Sequence, residues 1–358
     1  MQHQTRRSPG RAPAKRGRSV STRTPAGSAG PRSVRWLLWA AGICATPALL
    51  LLVLYLAPEL QARHAWLAMA ASFAPYGWPA WLAAVVFALL GARGRTRLVA
   101  APLGLALAWH TAVLVPYLPS PDRAVAASRS SVTVLELNLK FGLADLDALA
   151  RQVRSGRPDV LVLAEATRSD EKALARKSWS QDFPYLLGTA GHDYDPVTGF
   201  GDSRGTLVLS RHPVTVLDYA EGTSLTNLAV RVELPGHPFT LVAAHPANPE
   251  HGVDTWVADA EGVTRLALQH AGGPLVVAGD LNATGEHLTL RELAAKAGLT
   301  DTAAGQGWHP TFPADAWYPP LIQIDHVLAS SDFRTTRYRT VRVPGTDHLG
   351  LLVTLAVS

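Results

Sequence analysis

Three apolar runs in the first third of the chain limit its fold more than any other feature. They cover residues 36–57, roughly 65–90, and 98–118, and none holds an Asp, Glu, Lys or Arg. Each has about the 20 residues that a helix needs to cross a hydrocarbon core of about 30 Å. Pro47, Pro75, Pro79 and Pro102 are tolerable in bilayer helices, where neighbouring groups satisfy the freed carbonyls. Trp36, Tyr55, Trp66 and Tyr117 lie near run ends, where aromatic rings anchor at the interface. The middle run carries Pro75-Tyr76-Gly77-Trp78-Pro79 at its centre, a place for a bend or a re-entrant turn. A soluble helical core is the rival reading, and three such runs in succession argue against it.

Charge divides the chain in two. Residues 1–127 carry 14 Lys/Arg against Glu59 and Asp122, a net of +12, and residues 128–358 carry 19 against 26 acids, a net of −7, which restores the overall +5. Residues 1–33 are rich in Arg, Pro, Ser and Gly and hold too little apolar surface to offset chain entropy, so a disordered basic tail is expected. Nine Lys/Arg precede the first run, and Arg93, Arg95 and Arg97 separate the second from the third. The excess of positive charge predicts a cytoplasmic N-terminus and second loop, and hence an extracellular C-terminal domain. Lipid headgroups are the expected partner of the anchor. The one cysteine, Cys44, lies in an apolar run, which excludes an intrachain disulfide or a thiolate metal site.

After the 34–118 membrane region and a Pro/Ser-rich linker at 119–130, residues 131–358 suit one sizeable domain. Strand patterns occur at 132–139, 160–164, 205–210, 228–233, 239–244, 275–279, 323–329 and 351–357. Helical patterns occur at 144–155, 170–179, 255–271 and 286–297. Many strands with a few interspersed helices predict a layered α+β sandwich.

Several of these strands end in acids, amides or imidazoles: Asn138, Glu165, His245, Asp280 with Asn282, Asp325-His326, and Asp347-His348 before the last strand. A single such residue is most often a turn former or helix cap. Six in one domain are another matter, because strands ending at one sheet edge bring their last side chains together. Their order, with Gly279-Asp280-Leu281-Asn282-Ala283, Ile324-Asp325-His326 and Thr346-Asp347-His348, resembles the endonuclease/exonuclease/phosphatase superfamily of DNase I-like nucleases, inositol phosphatases and neutral sphingomyelinases. The segment 203–211 resembles that family's central strand motif, and 308–312 its Trp…Thr-Phe element. The resemblance implies a four-layered α/β sandwich and metal-dependent phosphate chemistry.

The residue types suit that chemistry. A hard cation, Mg²⁺ or Mn²⁺, withdraws charge from a phosphate and prefers oxygen ligands. Glu165 is the first choice of ligand, with Asn138 beside it and Asp347 assisting. Asp280 and Asn282 stand two apart on extended chain and so share a side, Asp280 to orient or deprotonate water and Asn282 to hold a phosphoryl oxygen. His348 suits phosphate contact, and the resemblance assigns Asp325 as the carboxylate fixing its tautomer and His245 as acid for the leaving oxygen. Arg204 and Lys140 are candidate substrate contacts, although Lys140 stands where abasic-site endonucleases carry an acid and Arg204 reads equally well as a surface ion pair. His326 reads as a local packing residue, and Glu136 has at most a supporting bond.

Nucleic-acid binding usually rests on a cationic surface, so the net of −7 argues against a long duplex as substrate. Three preceding spans make the chain similar to the membrane-anchored members linked to teicoplanin resistance. That implies a lipid-linked phosphate, such as a polyprenyl pyrophosphate. An extracellular nuclease, a sphingomyelinase-like phosphodiesterase and an inactive scaffold domain are the alternatives.

Overall fold

The computed structural model describes residues 31–91, 98–119 and 130–357. The expectations placed on the tail before residue 31, the arginine-bearing loop 92–97 and the linker 120–129 lie outside the described residues. Four helices come first: α1 (Pro31–Leu56), α2 (Ala65–Ala71), α3 (Gly77–Gly91) and α4 (Ala100–Thr111). Pro31 opens α1, where its missing N–H costs nothing, so the helix takes in the last residues expected in the tail. Three helical stretches are long and apolar enough to cross a membrane by length and composition: Arg35–Leu56, Ala74–Gly91 and Ala100–Tyr117. In the fold α3 packs against both α1 and α4.

The middle apolar run is not one helix. It breaks after α2 into the short turn Ala74–Tyr76 before α3 begins. Pro75 and Pro79 remove two helix donors from this stretch, which favours a break over a continuous span. The released half, with the preceding turn Pro58–Arg63, lies on the C-terminal domain, where Ala68 is fully buried among its core residues.

That domain contains, in order, β1 (Ser131–Asn138), α5 (Leu146–Gly156), β2 (Val160–Ala164), α6 (Arg168–Leu174), α7 (Lys177–Ser180), β3 (Tyr185–Thr189) and β4 (Thr206–Ser210). There follow β5 (Val214–Tyr219), β6 (Leu228–Val232), β7 (Phe239–Ala243), α8 (Val253–Gln269), β8 (Leu275–Asp280), α9 (Leu288–Ala297), β9 (Thr300–Asp301), β10 (Asp325–Ala329), β11 (Phe333–Arg342) and β12 (Leu349–Val357). The helical run expected at 170–179 is two short helices. A capping box between Thr167 and Asp170 starts the first of them.

Two six-stranded sheets result, ordered β11-β12-β1-β2-β4-β3 and β5-β6-β7-β8-β10-β9. Their facing sides share one core that includes Val134, Val162, Val230, Leu241, Val276 and Val353. The outer face of the first sheet is covered by α5 and its neighbours through Leu149, Val153 and Leu174. That of the second is covered by α8 and α9 through Trp256, Leu266, Leu290 and Leu293. The result is helix, sheet, sheet, helix, as the resemblance implies.

Candidate active site

The rim of the sandwich follows from strand direction. β1 and β2 are parallel, and β12 runs antiparallel to β1, so the ends of β1 and β2 meet the start of β12. In the other sheet β7 and β8 are parallel and β10 is antiparallel to β8, with Asp325 paired opposite Asp280. Asn138, Glu165, His245, Asp280, Asp325 and His348 therefore arrive at one edge from six strands.

Asn138 stands at the centre. Its Nδ2 donates to Asp280 Oδ2 (2.9 Å) and to Glu165 Oε1 (3.2 Å), while its Oδ1 accepts from the Lys140 N–H (2.8 Å). Asp280 Oδ1 accepts from the Asn282 N–H at 3.0 Å, and Glu165 Oε2 from the Phe141 N–H at 3.0 Å. His245 points Nε2 at both carboxylates, 3.7 Å from Glu165 Oε1 and 3.7 Å from Asp280 Oδ2. Its Nδ1 lies 3.2 Å from the Ser203 carbonyl, an acceptor, so Nδ1 carries a hydrogen. His348 Nδ1 lies 3.0 Å from both oxygens of Asp325, and its Nε2 faces Asp280 Oδ2 at 3.8 Å and Asp347 Oδ1 at 3.9 Å. Burial pushes the His348 pKa down, but the charges of Asp325 and Asp280 outweigh it and hold the ring up at about 10. The ring is thus an imidazolium at neutral pH.

Backbone strain marks the same place. Among the described residues five non-glycines have left-handed φ, and four of them, Lys140, Phe141, Glu165 and Asn282, line the cleft at this rim. Such conformations persist where surrounding structure dictates them. Here the bonds just described do so.

The cleft has a volume of about 380 Å³. Its walls hold Glu165, Glu250, Asp280 and Asp347, and Lys140 is the only Lys or Arg among the described lining residues. Lys140 is already paired with Asp315 (2.7 Å) and Asp347 (3.3 Å). An anionic phosphate would meet net repulsion here without an added cation. The carboxylate oxygens suit a hard one. Asp280, Asp325 and His348 offer atoms within 4.8 Å of one another. Asp325 holds His348 through both oxygens, while Glu165 and Asp347 face the cleft, Glu165 accepting from Asn138 and the Phe141 N–H and Asp347 paired with Lys140. Asn138 would join them only by turning its carbonyl away from Lys140.

Arg204 stands apart from the cleft lining. It forms a double hydrogen bond to Asp202 (2.9 Å each), which holds that carboxyl well below its usual range, and its side chain is mostly exposed. His326 bonds to Asp301 (2.7 Å) and the Ala283 carbonyl (2.8 Å). Glu136 is fully buried without a hydrogen-bond partner. Burial, with Asp325 and Asp280 nearby, pushes its pKa well above the ordinary value.

Sequence reasoning missed Met69, Ser72, Phe73, Ile322 and His287, which also line the cleft. The apolar ones carry no polar mark. His287 did have a signal, an imidazole two residues beyond Gly285 in the loop after Asn282. It accepts the Thr284 N–H at Nδ1 (2.7 Å), so Nε2 holds the hydrogen and donates to the Ala68 carbonyl (2.8 Å). Burial lowers its pKa to about 4. A pKa below the unfolded value of about 6.5 means that this contribution is whole above that pH and is lost as pH falls toward 4. Thermal melts from pH 7 to 4 are expected to fall more steeply for the unaltered protein than for His287→Gln; parallel curves would contradict the assignment.

The sequence profile of the Endonuclease/Exonuclease/phosphatase family matches residues 135–348, more than half of the chain. The chain belongs to this family. Its members are phosphate-ester hydrolases that are generally dependent on divalent metals. An AP endonuclease from Leishmania major has the same fold at 13% identity (TM-score 0.53), covering 69% of this chain and 95% of that one. A family member from Bacteroides thetaiotaomicron aligns at 17% identity (TM-score 0.50), covering 64% and 98%. Another from Beutenbergia cavernae is 23% identical (TM-score 0.49), covering 64% and 72%. No curated protein matches the chain.

Proposed function

We propose that the chain is a membrane-anchored, divalent-cation-dependent phosphohydrolase acting on a lipid-linked phosphate ester or pyrophosphate outside the cytoplasm. The observation that carries this reading is the gathering of Glu165, Asp280, His245, Asp325 and His348 around Asn138 in an anionic cleft. Glu165, Asp347 and, with its amide turned, Asn138 would hold Mg²⁺ or Mn²⁺, which when bound neutralises phosphate charge.

The chain's own groups supply the rest. Asp280, fixed through both oxygens, orients the attacking water and accepts its proton. Asn282 holds a phosphoryl oxygen once its side chain leaves the Pro246 carbonyl (3.0 Å). His348, kept positive by Asp325, stabilises the charge that builds on the phosphoryl group. His245, with Nδ1–H set by Ser203, would act in its doubly protonated form, giving the Nε2 proton to the leaving oxygen and becoming the neutral Nδ1–H ring. Lys140 orders the rim through Asp315 and Asp347 and can turn toward an incoming phosphate. Arg204, bound to Asp202, has no assigned contact with substrate.

Three helices with the length and composition of spans support the anchor, and the positive charge before and between them supports an extracellular domain. With this architecture, similar to the teicoplanin-resistance membrane protein VanJ, a polyprenyl pyrophosphate and a role in glycopeptide tolerance are the favoured specifics. The single, already paired lysine of the cleft disfavours a nuclease. The test is a panel of lipid pyrophosphate, sphingomyelin, inositol phosphate and DNA offered to the full chain with Mg²⁺. Phosphate release from the lipid pyrophosphate is expected, whereas nucleotide release from DNA alone would overturn the reading.

A further inference from the structure

The apolar side of the cleft has no part in the chemistry above. Between the first two candidate spans the chain lays α2 and the turn after it across the catalytic domain. One end of this strut is tied to the loop just past Asp280 and Asn282. There His287 donates to the Ala68 carbonyl (2.8 Å), Gln61 Nε2 donates to the Glu286 carbonyl (3.1 Å), and Gln61 Oε1 accepts from the Leu288 N–H (2.9 Å). The other end is tied beyond the cleft, where the Tyr76 hydroxyl donates to the Leu321 carbonyl (2.6 Å). Between the ties stand Met69, in the last turn of α2, and Phe73, in the turn that follows it. Both line the cleft that holds Glu165, Asp280 and His348, and both keep 38% of their surface exposed. Ile322 and Ile324 line the same cleft.

The exposed part of these two large apolar side chains, beside a cluster of carboxylates, gains nothing by folding alone. Phe73 immediately precedes the span Ala74–Gly91, so the apolar strip begins where that span would leave the bilayer. A ligand with an anionic head and a hydrocarbon tail fits both halves of the cleft at once.

We propose that Met69 and Phe73 are the seat of the substrate's hydrocarbon chain, so that the membrane region forms part of the active site and selects lipid-borne phosphates over soluble ones. The inference rests on the phosphohydrolase reading and adds specificity-determining residues to it. The full chain in lipid nanodiscs with Mg²⁺ is given two esters with the same phosphate head, one bearing a long prenyl chain and one a methyl group. The measured quantity is the ratio of their kcat/KM values, which does not depend on how much of a variant is folded. For Met69→Ser/Phe73→Ser the long-to-short ratio is expected to fall about tenfold or more, chiefly through KM for the long ester. Phe73→Leu is expected to restore most of it. A ratio within twofold of the unaltered protein's overturns the inference even when the long ester is turned over. No turnover of either ester by the unaltered chain overturns the phosphohydrolase reading itself.

Discussion

Asp280→Asn is expected to lower kcat about a thousandfold, the size of effect associated with removing a positioned general base. The side chain is 2% exposed, and its two oxygens accept from the Asn282 backbone and from Asn138. Asparagine keeps the shape and the first of these bonds. It sets its own NH₂ against that of Asn138, which must then turn its amide. The substitution also removes one of the charges that raise the His348 pKa, so that value should fall from about 10. Single-turnover kinetics and an NMR titration of His348 read the two effects separately. A variant with near-normal kcat would remove Asp280 from the chemistry.

Gly279→Ala is expected to damage both fold and site. Gly279 has φ +152°, and a Cβ there would sit 1.8 Å from the Ala244 carbonyl oxygen. Ala244 belongs to the same junction of β7 and β8, its N–H donating to the Ala278 carbonyl at 3.0 Å. An added methyl must push the strands apart between His245 and Asp280, which face each other at 3.7 Å. Backbone strain and overpacking each cost about 1–3 kcal/mol. For a domain of this size that corresponds to a loss of roughly 5–15 °C in melting temperature. Activity should fall as well, because His245 and Asp280 move relative to each other. An unchanged melt would show that the junction is looser than the structure indicates.

The strands that the sequence revealed and those it hid differ in a physical way. The interior strands β1, β2, β4, β6, β7, β8, β10 and β12 read as apolar runs because both of their faces are covered. The four strands that went unread, β3, β5, β9 and β11, are the four sheet edges. An edge strand is less covered and need not read as an apolar run: β11 carries Arg334, Arg337, Arg339 and Arg342, and β5 is exposed at all but Val214. Apolar content is a poor guide to such strands.

The site was more legible than its surroundings. Strand ends in a sandwich of this topology converge, so a polar residue at each end was already an argument for a shared cleft. Glu165, Asn138, His245, Asp280, Asn282, Asp325, Asp347, His348 and Lys140 all meet at the rim, and Arg204 does not line it. What the sequence concealed is the wall supplied by Met69 and Phe73. An apolar residue within an apolar run has nothing to distinguish it, and its partners lie more than 200 positions away. The proline-rich break that releases α2 was visible, but its docking partner was not.

In the proposed reaction Glu165 and its neighbours would hold a hard cation without which phosphate would not occupy the anionic cleft. The most direct test of this is phosphate release by the full chain after exhaustive chelation, followed by titration with Mg²⁺. Turnover should vanish with chelator and return with Mg²⁺, and Glu165→Gln should shift the half-restoring concentration upward by about tenfold or more. Turnover that persists undiminished in chelator would contradict the account.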